Sequence, residues 1–277
     1  MSKQTIGKPW NLPGYLRAIV YTLLFLGILI GGGTIGAMLG FDIYLTTTVL
    51  AILTALLTYV LRVQMDRESW MSLGWKWGGF ELDFSVGILI AIAILGGGTC
   101  ILLVLNAIEW TDVQWNGTAF FISLGLMLLV AFYEELAFRG YILNNLMESI
   151  HPLFALLISA LIFALFHGTN PNASVLSILN VFLAGILLGI NFIYTRNLWF
   201  GIGLHFIWNF LQGPILGYEV SGLSLPSVLV QNQTGSDTIT GGNFGFEGSL
   251  INSILMLVVI FLLFLLYSKQ FNKKWLP

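Results

Sequence analysis

The sequence predicts an all-α fold, a polytopic membrane helical bundle of about eight transmembrane helices with N- and C-termini cytoplasmic. Three observations carry that expectation. Apolar residues make up 57% of the 277 and charged residues 9%, with a mean hydropathy of +0.89, a composition suited to a bilayer. The apolar residues gather into runs that reach the roughly 20 residues needed to cross a hydrocarbon core. The Lys and Arg residues fall on one side of the alternating spans, as cytoplasmic loops do.

In chain order the runs cover 16–39, 43–62, 84–106, 118–147, 152–167, 174–195, 199–218 and 249–267, the fifth being the shortest. The apolar part of the first exceeds the roughly 7 to 15 residues of a signal-peptide core and no A-x-A-like site follows, so it is expected to remain. Lys3, Lys8 and Arg17 precede or open span one, Arg62, Arg67 and Lys76 follow span two, and Arg139 lies toward the inner end of span four. Arg196 joins spans six and seven, and Lys269, Lys273 and Lys274 follow span eight. The opposite-side segments hold Asp42, Glu109, Asp112, Glu219, Asp237 and Glu247 instead.

No stretch is long enough for a soluble domain, so residues 1–277 are expected to form a single integral membrane domain. The loop 219–248 contains QNQTGSDTITGGN, which reads as a flexible linker or cap. Gly32 with Gly36 and Gly185 with Gly189 have the spacing that permits close helix contact. Trp10, Trp70, Trp75, Trp77, Trp110, Trp115, Trp199 and Trp275 are placed to anchor span ends at the interface. Cys100, the single cysteine, lies within span three and reads as a small apolar packer.

Ionisable groups inside the spans carry the functional signal, because each is unfavourable by about 2.5 to 3.5 kcal/mol at the bilayer centre on insertion scales. They are Glu134, Glu135 and Arg139 in span four, His167 closing span five, and His205 with Asn209 in span seven. In a helix Glu135 and Arg139 are one turn apart and can form an ion pair. Glu134 points about 100° away from that pair and needs another reason. Taken singly, the pair would fix helix register, His167 would be an interfacial histidine, and His205 with Asn209 would make an interhelical hydrogen bond. Their joint occurrence favours one site.

EELAFR (Glu134 to Arg139) resembles the E-E-x-x-x-R motif, FALFH (Phe163 to His167) the F-x-x-x-H motif, and HFIWN (His205 to Asn209) the H-x-x-x-N motif of the CPBP intramembrane endopeptidases. That family includes the type II CAAX prenyl endopeptidases and bacterial relatives of the abortive-infection and bacteriocin-immunity type. All three motifs occur in the family's order, and the resemblance covers about 118–218, the expected catalytic core of spans four to seven.

The resemblance implies an endopeptidase that activates a water and stabilises the oxyanion. Glu134 would be the base and His167 would orient the same water. His205 and Asn209 would stabilise the oxyanion, with Glu135 and Arg139 in support. An alternative mechanism makes Glu134, His167 and His205 zinc ligands with water in the fourth position. The absence of an H-E-x-x-H helix favours the metal-free version, with no cofactor. The expected partners are the lipid bilayer and a peptide or membrane-protein substrate, lipidated or not, with no nucleic acid; a bacterial inner membrane is the expected location. Two rivals come from other classes: a noncatalytic scaffold or immunity protein, and a transporter using Glu134 as a proton site. One difficulty stands. Counting about 1.5 Å per residue, Glu134 and His167 lie roughly 20 Å from the inner face and His205 nearer 10 Å.

Overall fold

A computed structural model describes residues 12–271. Lys3, Lys8, Trp10, Lys273, Lys274 and Trp275, expected to contribute to orientation and anchoring, lie outside the described residues. The helices are α1 (Gly14–Met38), α2 (Ile43–Met65), α3 (Phe80–Val104), α4 (Gly117–Leu146), α5 (Pro152–His167), α6 (Val175–Thr195), α7 (Trp199–Phe210) and α8 (Leu250–Phe271). The predicted all-α membrane bundle is therefore the fold.

Local chemistry explains where the helices start and stop. Asp42 accepts from Leu45 N (2.8 Å) and Asn116 from Ala119 N (3.1 Å), capping α2 and α4. Pro152 occupies the first turn of α5, where its missing N–H is harmless. Ser174 and Ser177 form a reciprocal cap on α6. Arg196 ends α6 in the left-handed region.

Of the eight, six are long and apolar enough to cross a membrane, while α5 and α7 are shorter. At about 1.5 Å per residue, the 16 residues of α5 reach roughly 24 Å, short of a core of about 30 Å. The start of α7 is recessed. Asn197 and Leu198, which start α7, are 3% and 1% exposed, roofed by the 3-10 turn Trp70–Leu73 and Gly74, whose carbonyl accepts from Leu198 N (3.0 Å). Leu198, from which the depth of His205 is counted, is therefore not at an exposed end of the bundle. Trp75 belongs to the same roof and is buried between Trp70, Phe132 and Trp199 rather than anchoring an interface.

Among the helices, α3 packs along α7, α5 along α6, α6 along α8 and α4 along α7, with α1 on α2. Gly185 lets α6 meet α5 closely, since a Cβ there would lie 2.8 Å from Ala160 Cα. At one end of the bundle the cations assigned to the inner side converge. Arg17 pairs with Glu148 and with Asp66 (3.4 Å), and Arg62 with Asp66 (3.4 Å) and Glu148 (3.7 Å). Arg196 donates to Asn144 Oδ1 (2.6 Å) and Lys76 to the Thr195 carbonyl (2.5 Å). Arg139 departs from that group. It is 2% exposed in the bundle interior and takes no part in the charged end.

The opposite end corrects the expectation of a flexible loop. β1 (Ile108–Val113) pairs antiparallel with β2 (Leu229–Gln233), and a short helix (Asp237–Thr240) and two 3-10 turns follow. Phe244 and Phe246 are buried there. The glycines that suggested flexibility instead make tight turns, Gly241 at φ +95° and Gly245 at φ +97°. This segment is a packed cap over the bundle.

Candidate active site

The site begins where α4 changes geometry: regular α-helix runs to Glu135 and a π-helical stretch covers Leu136–Leu143. Such widened turns are often found at functional positions. Glu135 is fully buried, and its Oε1 accepts from Arg139 Nη1 at 2.7 Å. Arg139 also donates from Nη2 to the Gly185 carbonyl (3.0 Å) and sets its Cζ 4.7 Å over the Phe163 ring. The guanidinium thus ties α4 to α5 and α6, which is how a paired charge survives burial.

His205 reaches the same carboxylate from α7, its Nδ1 lying 3.0 Å from Glu135 Oε1. An ionised carboxylate only accepts, so Nδ1 donates and the neutral ring keeps its lone pair on Nε2. Nε2 lies 3.8 Å from Glu134 Oε2. Glu134 therefore does not turn away from the pair to an unrelated place; the imidazole spans the roughly 100° between the two carboxylates. Gly201 makes this possible, because a Cβ there would fall 2.5 Å from Glu135 Oε2.

Glu134 Oε1 accepts from Tyr133 (3.3 Å), whereas among the described residues the buried Oε2 has no hydrogen-bond partner. His167 holds its Nδ1 2.9 Å from the Phe163 carbonyl, which can only accept. Its neutral ring likewise keeps the lone pair on Nε2. Glu134, His167, His205 and Asn209 all line one cavity of about 270 Å³. Among the described residues, His167 and Asn209 make no direct bond to Glu134; they meet it across the cavity. The alternative zinc set, Glu134, His167 and His205, offers two free Nε2 lone pairs, yet among the described residues no three His, Cys, Asp or Glu side chains converge as a metal site would require.

Residues 116–211 match the family described as type II CAAX prenyl endopeptidase Rce1-like. Over these residues the chain is similar to that family. The match runs from the start of α4 to the end of α7 and contains all seven residues of the three motifs, in agreement with the resemblance read from them. It leaves α1 to α3, the cap and α8 outside. The matched family is one of proteases, and six helices long and apolar enough to cross a membrane support an integral, multi-pass membrane protein. No curated protein and no solved structure matches the chain.

Several cavity residues were missed in the sequence. Trp208 lines it and donates Nε1 to Glu247 Oε1 (3.1 Å), and Glu247 also accepts from Ser221 N (2.9 Å) and Ser221 Oγ (2.7 Å). The segment expected as a flexible linker or cap is thus part of the wall. Asn180 and Asn252 line it as well. A signal existed for the last two, since carboxamides inside apolar runs need polar partners as ionisable groups do.

Proposed function

We propose that the chain is an intramembrane endopeptidase in which Glu134 acts as general base. The observation that carries this reading is the buried Glu134 Oε2, without a hydrogen-bond partner among the described residues and 3.8 Å from His205 Nε2, on a residue that lines the cavity. A water held by Glu134 can be deprotonated as it attacks a carbonyl carbon, and that proton can pass to the leaving nitrogen. His167, across the cavity, orients the water through its Nε2 lone pair. Asn209 donates from its amide to the developing oxyanion. His205 supplies a second donor once Nε2 carries a proton, while Glu135 and Arg139 hold its ring.

The apolar side of the cavity, formed by Phe25, Leu29, Ile43, Leu126, Met127 and Val130, suits a lipid-modified or membrane-embedded peptide. Ile43 and Leu223 line it and are 41% and 43% exposed, marking the opening between the start of α2 and the cap. A substrate arriving within a bacterial inner membrane fits this arrangement.

The test is purification of the full chain in detergent, incubation with farnesylated and unmodified peptides, and analysis of products and bound metal on the same sample. Cleavage by wild type and none by Glu134→Gln is expected. Equal cleavage by both proteins overturns the role of Glu134, and a stoichiometric metal that Glu134→Gln loses favours the zinc mechanism.

A further inference from the structure

The cavity has a second polar end that this chemistry does not use. Asn252, in the first turn of α8, is 1% exposed and lines the cavity, and among the described residues neither its Nδ2 nor its Oδ1 has a hydrogen-bond partner. Its neighbours are satisfied. Asn180 donates to the carbonyls of Glu247 (2.7 Å) and Ser249 (2.8 Å) and accepts from Ser253 Oγ (2.6 Å). A buried carboxamide with donor and acceptor both unfilled is an exception among native proteins. One group that offers an acceptor and a donor together fills it, and a peptide amide is such a group.

The wall of α6 gives the separation. Asn180, Ala184, Leu187 and Leu188 all line the cavity, and the Leu188 carbonyl sits against Gly201, beside Glu135. Eight residues of helix span about 12 Å, and an extended peptide advances roughly 3.3 to 3.6 Å per residue. The cap end therefore lies three or four residues along a bound peptide from the reacting centre.

We propose that Asn252 is a substrate-binding residue that takes a main-chain amide of the peptide three or four residues from the scissile bond. This rests on the endopeptidase reading and adds to it a minimum substrate length and an extended bound backbone. The residue lies outside the Rce1-like segment, so the subsite belongs to α8 and the cap of this chain.

The test uses the full chain in nanodiscs, with fluorescent peptides carrying either four or two residues on each side of the cleaved bond, farnesylated and unmodified. Binding is read by anisotropy on Glu134→Gln protein with and without Asn252→Leu. The long peptide should lose at least about ten-fold in affinity and the short one less than about two-fold, the scale of one lost bidentate contact. N-methylation at the third or fourth residue should erase the difference. If replacing an Asn or Gln side chain of the peptide erases it instead, the main-chain assignment is wrong.

Asn252→Leu removes unpaired buried polar atoms and should keep or raise the Tm of the unliganded protein. A lowered Tm with equal loss on both peptides indicates a structural residue and overturns the proposal. Cleavage kinetics separate the two ideas. Asn252-dependent binding without cleavage by the wild-type protein overturns the endopeptidase reading alone, and cleavage with a KM indifferent to Asn252→Leu overturns the subsite alone. Absence of peptide binding overturns both.

Discussion

Glu135 Oε1 receives two donors, Arg139 Nη1 at 2.7 Å and His205 Nδ1 at 3.0 Å, so the carboxylate that supports the helix also fixes the proton on the imidazole. His205 is thereby oriented by a neighbour of Glu134, and its free nitrogen faces Glu134 itself. Removing the Arg139 charge leaves Glu135 and His205 in a buried, uncompensated pair. Arg139→Met should lower stability by about 3 to 5 kcal/mol, read as a lower Tm of the detergent-solubilised protein. An unchanged Tm would show that the pair is not structural.

Glu134 has no comparable structural bond: among the described residues, the hydrogen bond it accepts is a long one from the Tyr133 hydroxyl, at 3.3 Å. Glu134→Gln should therefore keep the Tm within a degree or two of wild type while cutting turnover by about 10² to 10⁴, the usual weight of a general base. A variant that unfolds, or that still turns over at the wild-type rate, contradicts the assignment.

Asn209 lines the cavity one helical turn from His205. If it serves the oxyanion, Asn209→Ala should lower kcat by about 10² to 10³ with a smaller change in KM. A pure KM effect points to ground-state binding instead.

Gly201 leaves no space for a side chain, since a methyl group there would lie 2.5 Å from Glu135 Oε2 and 3.2 Å from the Leu188 carbonyl. Gly201→Ala should push Glu135 off His205 and depress kcat by at least about ten-fold, although no reacting group is touched. Wild-type turnover in Gly201→Ala would mean that the Glu135 to His205 bond is dispensable.

The basic end and the cavity mouth lie at opposite ends of the bundle, so the mouth should face the noncytoplasmic side. In a Cys100→Ala background, Leu223→Cys should react with a membrane-impermeant maleimide added to intact cells, and Arg67→Cys only after lysis. The reverse pattern inverts the topology.

Much of this protein is decided along the chain. Apolar runs of bilayer length and the caps beside them, Asp42, Asn116 and the Ser174 pair, place the helices to within a few residues, because helix formation in lipid is a local requirement on the backbone. The rarity of charge inside those runs singles out Glu134, Glu135, Arg139, His167, His205 and Asn209 for the same reason. What the chain order does not contain is contact between distant segments. The recess of α7 beneath Gly74, the bridging of both carboxylates by His205, and the closure of the cavity by Glu247 and Asn252 arise only when helices pack, since each depends on the positions of side chains far apart in sequence. The glycine-rich cap shows the difference most plainly: its composition permits flexibility, and the burial of Phe244 and Phe246 removes it.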